Sequence, residues 1–200
     1  MSVMAVLLLW LLVVAVGRGI SRLLPDPDPR ARGVAGRLLF WSLAGLFGLH
    51  VVLTTVDVLG GQWTPMLLAW LAAAALALNL LRHGRKPGAP AGPGGSLSWG
   101  LVVAGAAALV LAWAVASLWS TNPDFIYHWG IKGHRFFLAG GIDEAFLKKP
   151  WNRLSHPDYP FLQPELFAVT AVLRGFFDEP AMLLESALWC FLAAVAARQA

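Results

Sequence analysis

Long apolar blocks alternate with short polar links along most of this chain. A helix needs roughly 20 residues to cross the hydrocarbon core of a bilayer. Gly, Pro and charged residues fill the links at 57–62 and 82–96. The pattern therefore predicts four membrane spans in the first 119 residues, at about Val3–Val16, Leu38–Val56, Trp63–Leu81 and Leu97–Trp119.

The remainder of the chain has one long polar stretch, residues 120–163. A short apolar helix follows at about Pro164–Phe177, and a last apolar block ends near Ala197. The short helix carries Arg174, so it is either a thin span or a re-entrant segment. We expect an all-α, polytopic transmembrane bundle of about five to six spans, organised as helices in 1–119, a loop in 120–163 and further helices in 164–200.

Composition excludes a soluble globular domain. The chain is 58% hydrophobic and 13% charged, whereas soluble domains carry about 25% charged residues. The net charge of +4 comes from Lys and Arg in the links, which is typical of membrane topology signals and not of a nucleic-acid surface. The single cysteine, Cys190, excludes an intramolecular disulfide and a cysteine-based zinc cage.

The links also predict an orientation, because Lys and Arg favour the cytoplasmic side. Five arginines lie between Arg18 and Arg37, three basic residues lie in 82–86, and none lies in 57–62. The first and third links are then cytoplasmic. The N-terminus and the loop 120–163 are extracytoplasmic.

Residues 122–138 predict an amphipathic helix that begins at Asn122, a good N-cap, with Pro123 at the first helical position. At about 100° per residue, a polar stripe and an apolar side separate, as expected of a helix in the membrane interface. A carboxylate can act as a general base, and cations can hold phosphate. The alternative is an ordinary solvated face. The stripe comprises Asp124, His128, Lys132 and Arg135, and the apolar side comprises Phe125, Ile126, Trp129, Phe136 and Phe137.

A second candidate segment is the proline-rich loop from Ser155 to Pro164, which carries His156, Asp158 and Tyr159. Three prolines stiffen it, and rigid polar loops at a membrane face often carry function. The alternative is a simple lead-in to a helix. The His and acidic residues of the loop match no metal signature, so we assign no metal ligand and no cofactor, although a divalent metal remains possible. Gly140-Gly141 predicts a helix stop, and His50 and Asn79 are expected to face helix partners.

The order of these features resembles the first extracytoplasmic loop of the GT-C glycosyltransferases, such as the protein O-mannosyltransferases and the lipid A aminoarabinose transferase. The resemblance covers roughly Trp119–Leu184. It consists of Asn122-Pro123-Asp124 after a span, an amphipathic helix, a break at Ala139-Gly140-Gly141, the loop His156–Pro160 and a helix closing on Arg174-Gly175.

The resemblance implies a membrane enzyme, or its N-terminal part, in a bacterial-type inner (plasma) membrane. Such an enzyme transfers a sugar from a polyprenyl-phosphate donor to a glycan, lipid or protein acceptor on the extracytoplasmic side. Asp124 takes the catalytic position. The substrate-binding candidates are His128, Lys132, Arg135, His156, Asp158 and Tyr159. The family has about a dozen spans, so we expect a longer protein.

Two other functions stay open. A non-catalytic membrane subunit or assembly factor could use the outer loop to dock a partner. A transporter would require ionisable residues inside several spans, and from the sequence we assign only His50 and Arg174 to such positions.

Overall fold

The computed structural model describes residues 2–23, 34–80, 105, 107, 109–110, 113–114, 125–158 and 160–199. Within these residues all regular structure is helical, as expected for an all-α fold. A π-helical turn at Phe125–Trp129 leads into the fourth helix, and a 3₁₀ helix at Pro150–Ser155 precedes the sixth. The helices are α1 (Ser2–Leu23), α2 (Val34–Val58), α3 (Pro65–Leu80), α4 (Gly130–Ala139), α5 (Glu144–Leu147), α6 (Leu162–Arg174) and α7 (Glu179–Gln199).

Two of the described helices are long and apolar enough to cross a membrane. They are Val3–Leu23 and Gly36–Val58, with mean hydropathies of 2.4 and 1.8. The helix α3 is apolar but has 16 residues, and most of the predicted span at Leu97–Trp119 lies outside the described residues. The described part of the chain thus supports two candidate spans and leaves the predicted total of five to six unsupported.

The helices α1 and α2 touch through their backbones at two glycines. A Cβ atom at Gly17 would overlap the carbonyl oxygen of Trp41, and one at Gly45 would overlap that of Val13. Small residues at such crossings let apolar helices approach closely, which is how helices associate in lipid. The helix α1 also packs on α3, where the Asn79 amide donates to the Ala15 carbonyl oxygen over 2.9 Å. The expected packing role of Asn79 is confirmed.

The helix α6 is the most enclosed of the helices within the described residues. Residues 164–172 are all buried, and α6 contacts α1, α2, α4 and α7. It starts two residues before the predicted Pro164, and it ends at Arg174 because Gly175 adopts a left-handed φ of 83°. Its 13 residues measure about 20 Å, which is shorter than a hydrocarbon core of about 30 Å.

The C-terminal end of α2 holds the segment that begins at Phe125. The Ile142 amide donates to the Asp57 carboxylate over 2.8 Å, and the Trp63 amide donates to the Gly140 carbonyl over 2.6 Å. Gly140 has a φ of 70° and ends α4, so the predicted helix stop is confirmed. Arg37 lies twenty residues before Asp57 on α2, which is about 30 Å along the helix axis.

Candidate functional site

The helix α4 crosses α6 at a glycine. A Cβ atom at Gly133 would lie 2.7 Å from the Cβ of Phe167, so no larger residue fits this contact without a shift. One turn later, the Phe136 ring packs edge-on against Trp63, with centroids 6.1 Å apart, and against Phe161, at 5.7 Å. These contacts fix which side of α4 faces the bundle.

The buried side of α4 differs from the sequence prediction. Lys132 and Phe136 were assigned to opposite faces, yet both are fully buried and face the bundle. The predicted interfacial helix with an outward polar stripe is therefore wrong in its faces, while its helical conformation is confirmed from Phe125 to Ala139. The exposed residues of the segment are Ile126, Tyr127, Ile131, His134 and Leu138, with Ala139 at its end.

The physical reason is the packing of α4 on α6, which meet at Gly133 and Phe167. Lys132 and Phe136 are four positions apart, and Phe125 and Lys132 are seven apart, so at 100° per residue each pair lies on one side of a helix. Lys132 therefore lies at the border between the two predicted faces, and the packing of α4 turns that border inward. The π-helical turn at Phe125–Trp129 is not needed to explain the burial of Lys132.

Lys132 brings two of the predicted segments together. Its ammonium group donates to the carbonyl oxygen of His156, and it lies 5.7 Å from the Trp129 ring centroid and 5.9 Å from that of Phe161. Burial lowers the pKa of Lys132, and the negative charge of Asp158 partly offsets that effect. The site thus holds a cation in an aromatic enclosure with an exposed carboxylate nearby.

The two histidine rings of the prediction are also adjacent. The ring centroids of His128 and His156 are 4.7 Å apart at an interplanar angle of 55°. His156 has a φ of 46°, the sole positive φ of a non-glycine residue in the described part of the chain. Backbone strain of this kind persists where surrounding contacts hold it and is frequent at functional sites. Its carbonyl is the one that Lys132 binds.

Four predicted residues therefore meet: His128, Lys132, His156 and Asp158. We call them the loop cluster. Arg135 is separate, because its guanidinium binds the Asp143 carboxylate through Nε over 2.9 Å and lies over the Phe146 ring. Asp143 is also the N-cap of α5, accepting from the Phe146 amide over 2.8 Å. Asp124 and Tyr159 lie outside the described residues.

Among the described residues, no group of three or more His, Cys, Asp or Glu side chains is arranged to hold a metal ion. Several His and acidic residues of 120–163 make other contacts. Asp143 binds Arg135, Glu144 binds Lys148, and the His134 ring stacks on Phe177 with centroids 4.7 Å apart.

The structure reveals two buried carboxylates that sequence reasoning missed, Glu165 and Glu185, both fully enclosed. Glu165 accepts from His50, with Nδ1 and Oε2 2.6 Å apart, which confirms that His50 faces a helix partner. Glu185 accepts from the Thr170 hydroxyl over 2.7 Å and from the Trp189 indole over 3.3 Å.

Only one of these two had a clear signal in the sequence. Glu185 lies in an apolar block, where an acid is costly and by default functional. Glu165 follows Pro164 at the start of α6, and an acid there is indistinguishable from an ordinary helix-start charge.

No protein family model matches this chain, and neither the curated proteins nor the solved structures include a significant match.

Proposed function

We propose that this chain is a multi-pass membrane glycosyltransferase of GT-C type, or the N-terminal part of one. It transfers a sugar from a polyprenyl-phosphate donor to an acceptor on the extracytoplasmic side of an inner membrane. The observation that carries the proposal is the loop cluster, since residues 24 or more positions apart on two predicted segments converge around one buried ammonium group.

The position of the loop cluster supports an interfacial site. Its supporting segment is attached at the C-terminal end of α2 through Asp57 and Trp63. Arg37 lies near the other end of α2. One turn after Arg37, the ring centroid of Trp41 lies 5.3 Å from the Arg18 guanidinium. The basic residues and the attachment point of the supporting segment thus lie toward opposite ends of α2, and the proposal takes the basic end as cytoplasmic.

The exposed apolar residues beside the cluster fit a lipid substrate. Ile126 is 41% exposed, Tyr127 56% and Ile131 36%, and all three lie on the π turn or on α4. In this proposal they contact the bilayer and the polyprenyl tail, while the loop cluster contacts the headgroup. The tail then enters from the side of the helix and not through the bundle core.

The proposed reaction is a single displacement. The Asp124 carboxylate takes the proton of the acceptor hydroxyl, the hydroxyl oxygen bonds to the anomeric carbon, and the bond from that carbon to the donor phosphate oxygen breaks. The electron pair leaves with the polyprenyl phosphate. The Lys132 ammonium is buried and bound to the His156 carbonyl, so in this proposal its positive charge stabilises the leaving phosphate through space and not by direct contact. Arg135 has a secondary role, because Asp143 already holds its guanidinium. His156, Asp158 and Tyr159 line the acceptor side.

The test is Asp124→Asn in the full-length protein, with turnover of lipid-linked sugar measured in proteoliposomes. We expect loss of at least about a hundredfold, the scale of removing a general base. Glu144→Gln is the matched control, because Glu144 is an exposed acid of the same segment that pairs with Lys148. Full turnover by Asp124→Asn would remove Asp124 from the mechanism. A wild-type protein without any turnover would favour the non-catalytic docking subunit.

A further inference from the structure

A histidine–carboxylate pair joins α2 to α6 inside the bundle. His50 Nδ1 lies 2.6 Å from Glu165 Oε2, and the Thr54 hydroxyl donates to Oε1 over 3.4 Å. The two partners differ in access, since the Glu165 side chain is fully buried whereas that of His50 is 37% exposed. The pair is therefore closed on its carboxylate side and open on its imidazole side.

The open side faces a groove. A groove of about 320 Å³ runs along α2 past the imidazole, and its lining is mostly apolar. The groove runs from the imidazole to the C-terminal end of α2, where Val58 and Leu59 are exposed at the polar link. The path from the imidazole to water in this proposal therefore follows α2 to its end and does not cross the packed core. The lining residues are His50, Val51, Thr54, Thr55, Val58 and Leu59.

Among the described residues, the further charge that acts on the pair is negative. Asp57 on α2 adds a second negative field at Glu165. The cations of α4 are engaged elsewhere, Lys132 near Asp158 and Arg135 with Asp143. Glu185 of α7 is hydrogen-bonded to Thr170 on α6, and α1 contributes apolar side chains to the core, among them Leu9, Leu12 and Val13.

We propose that His50 and Glu165 form a proton-binding site that exchanges with the exterior through the groove on α2. A proton from water in the groove bonds to the imidazole, and the resulting imidazolium neutralises the Glu165 carboxylate. Loss of the proton returns it to water in the groove and leaves a net negative charge in an apolar bundle. A neutral pair is the form that such surroundings tolerate.

The site is separate from the loop cluster but mechanically connected to it. The helix α6 carries Glu165 near its start and receives α4 through Phe167 and Gly133. A change in attraction between α2 and α6 therefore acts on the helix that supports Lys132. Proton-binding groups inside helices are a feature of ion-coupled membrane proteins, and Glu165 adds a second such group beside His50.

The experiment is nitrogen-15 NMR of histidine rings in the full chain, reconstituted in nanodiscs, from pH 5 to 8.5. The His50 signals are assigned with His50→Asn, and the Glu165 carboxyl is followed in parallel with carbon-13 glutamate. We expect the nitrogen-15 signals of His50 and the carbon-13 signal of Glu165 to change over the same pH ranges, because the two groups share a proton. We also expect Glu165→Gln to change the pH course of the His50 signals.

Glu185→Gln is the matched control, because it alters the other fully buried glutamate, on α7. We expect the pH dependence of the His50 signals in this variant to match that of the wild type. If Glu165→Gln fails to fold, the wild-type comparison of the two nuclei still decides. Independent transitions of His50 and Glu165, or His50 signals unaffected by Glu165→Gln, would overturn the proposal. Asp124→Asn should leave the His50 course unchanged, so failure of the sugar-transfer proposal is distinguishable.

Discussion

Two buried carboxylates lie on opposite sides of α6, and their hydrogen-bond partners differ in kind. Glu165 on one side and Glu185 on the other are both fully buried acids. Glu165 has an ionisable partner, His50, that reaches an open groove, whereas the hydrogen bonds that Glu185 accepts come from the neutral donors Thr170, Trp189 and Gln163. We propose proton exchange with water for the first arrangement only, whereas the second is a buried network of hydrogen bonds from neutral donors.

The buried network should be the more sensitive to truncation. Glu185→Ala removes the acceptor and leaves the Thr170 hydroxyl and the Trp189 indole buried without it. Each such orphaned group costs about 1–3 kcal/mol, so we expect a loss of about 3 kcal/mol in the free energy of unfolding in detergent. Glu185→Gln keeps one acceptor oxygen and should lose clearly less. Equal losses in the two variants would contradict the hydrogen-bond explanation.

Substitutions in the His50–Glu165 pair should cost less free energy of unfolding than Glu185→Ala, and the losses of the two single variants should not be additive. His50→Asn leaves the Glu165 carboxylate without its ionisable partner, and we expect a loss of about 1–2 kcal/mol, below the 3–5 kcal/mol of fully buried pairs because His50 is partly exposed. The double variant His50→Asn, Glu165→Gln should lose less than the sum of the single variants. Additive losses in this cycle would show that the two side chains do not interact.

Lys132 extends the comparison to a buried cation outside the bundle core, with the smallest expected effect. Burial lowers its pKa in the folded state below the ordinary value of 10.5. The folded state therefore holds the proton less tightly than the unfolded state, so stability rises as pH increases from the folded-state pKa towards 10.5. We expect this alkaline gain in unfolding free energy in the wild type and its absence in Lys132→Met. Parallel pH profiles of the two proteins would contradict it.

Local sequence signals predicted the helical class and several helix ends, while the predicted total of five to six spans stays unsupported and the faces of α4 were predicted poorly. The stop at Gly140 and the end at Gly175 follow from the left-handed conformation that glycine permits. His128, Lys132 and His156 come from two segments of the sequence and are adjacent in the structure, and no local pattern predicted a contact between them. The assignment of Lys132 to the outward face failed because Lys132 lies one turn before Phe136, at the border of the two faces, and only the packing of α4 on α6 decides which side is buried.

The sequence by itself determined the helical conformation of the described residues and two helices long and apolar enough to cross a membrane, because a chain in a bilayer must satisfy its backbone polar groups internally. It also determined where helices stop, because glycine and proline act through their own backbone. Only the tertiary structure decided that Lys132 is enclosed, that Arg135 binds Asp143 and that Glu165 meets His50. Those pairings depend on how helices far apart in the chain cross, and helix periodicity carries no information about such crossings.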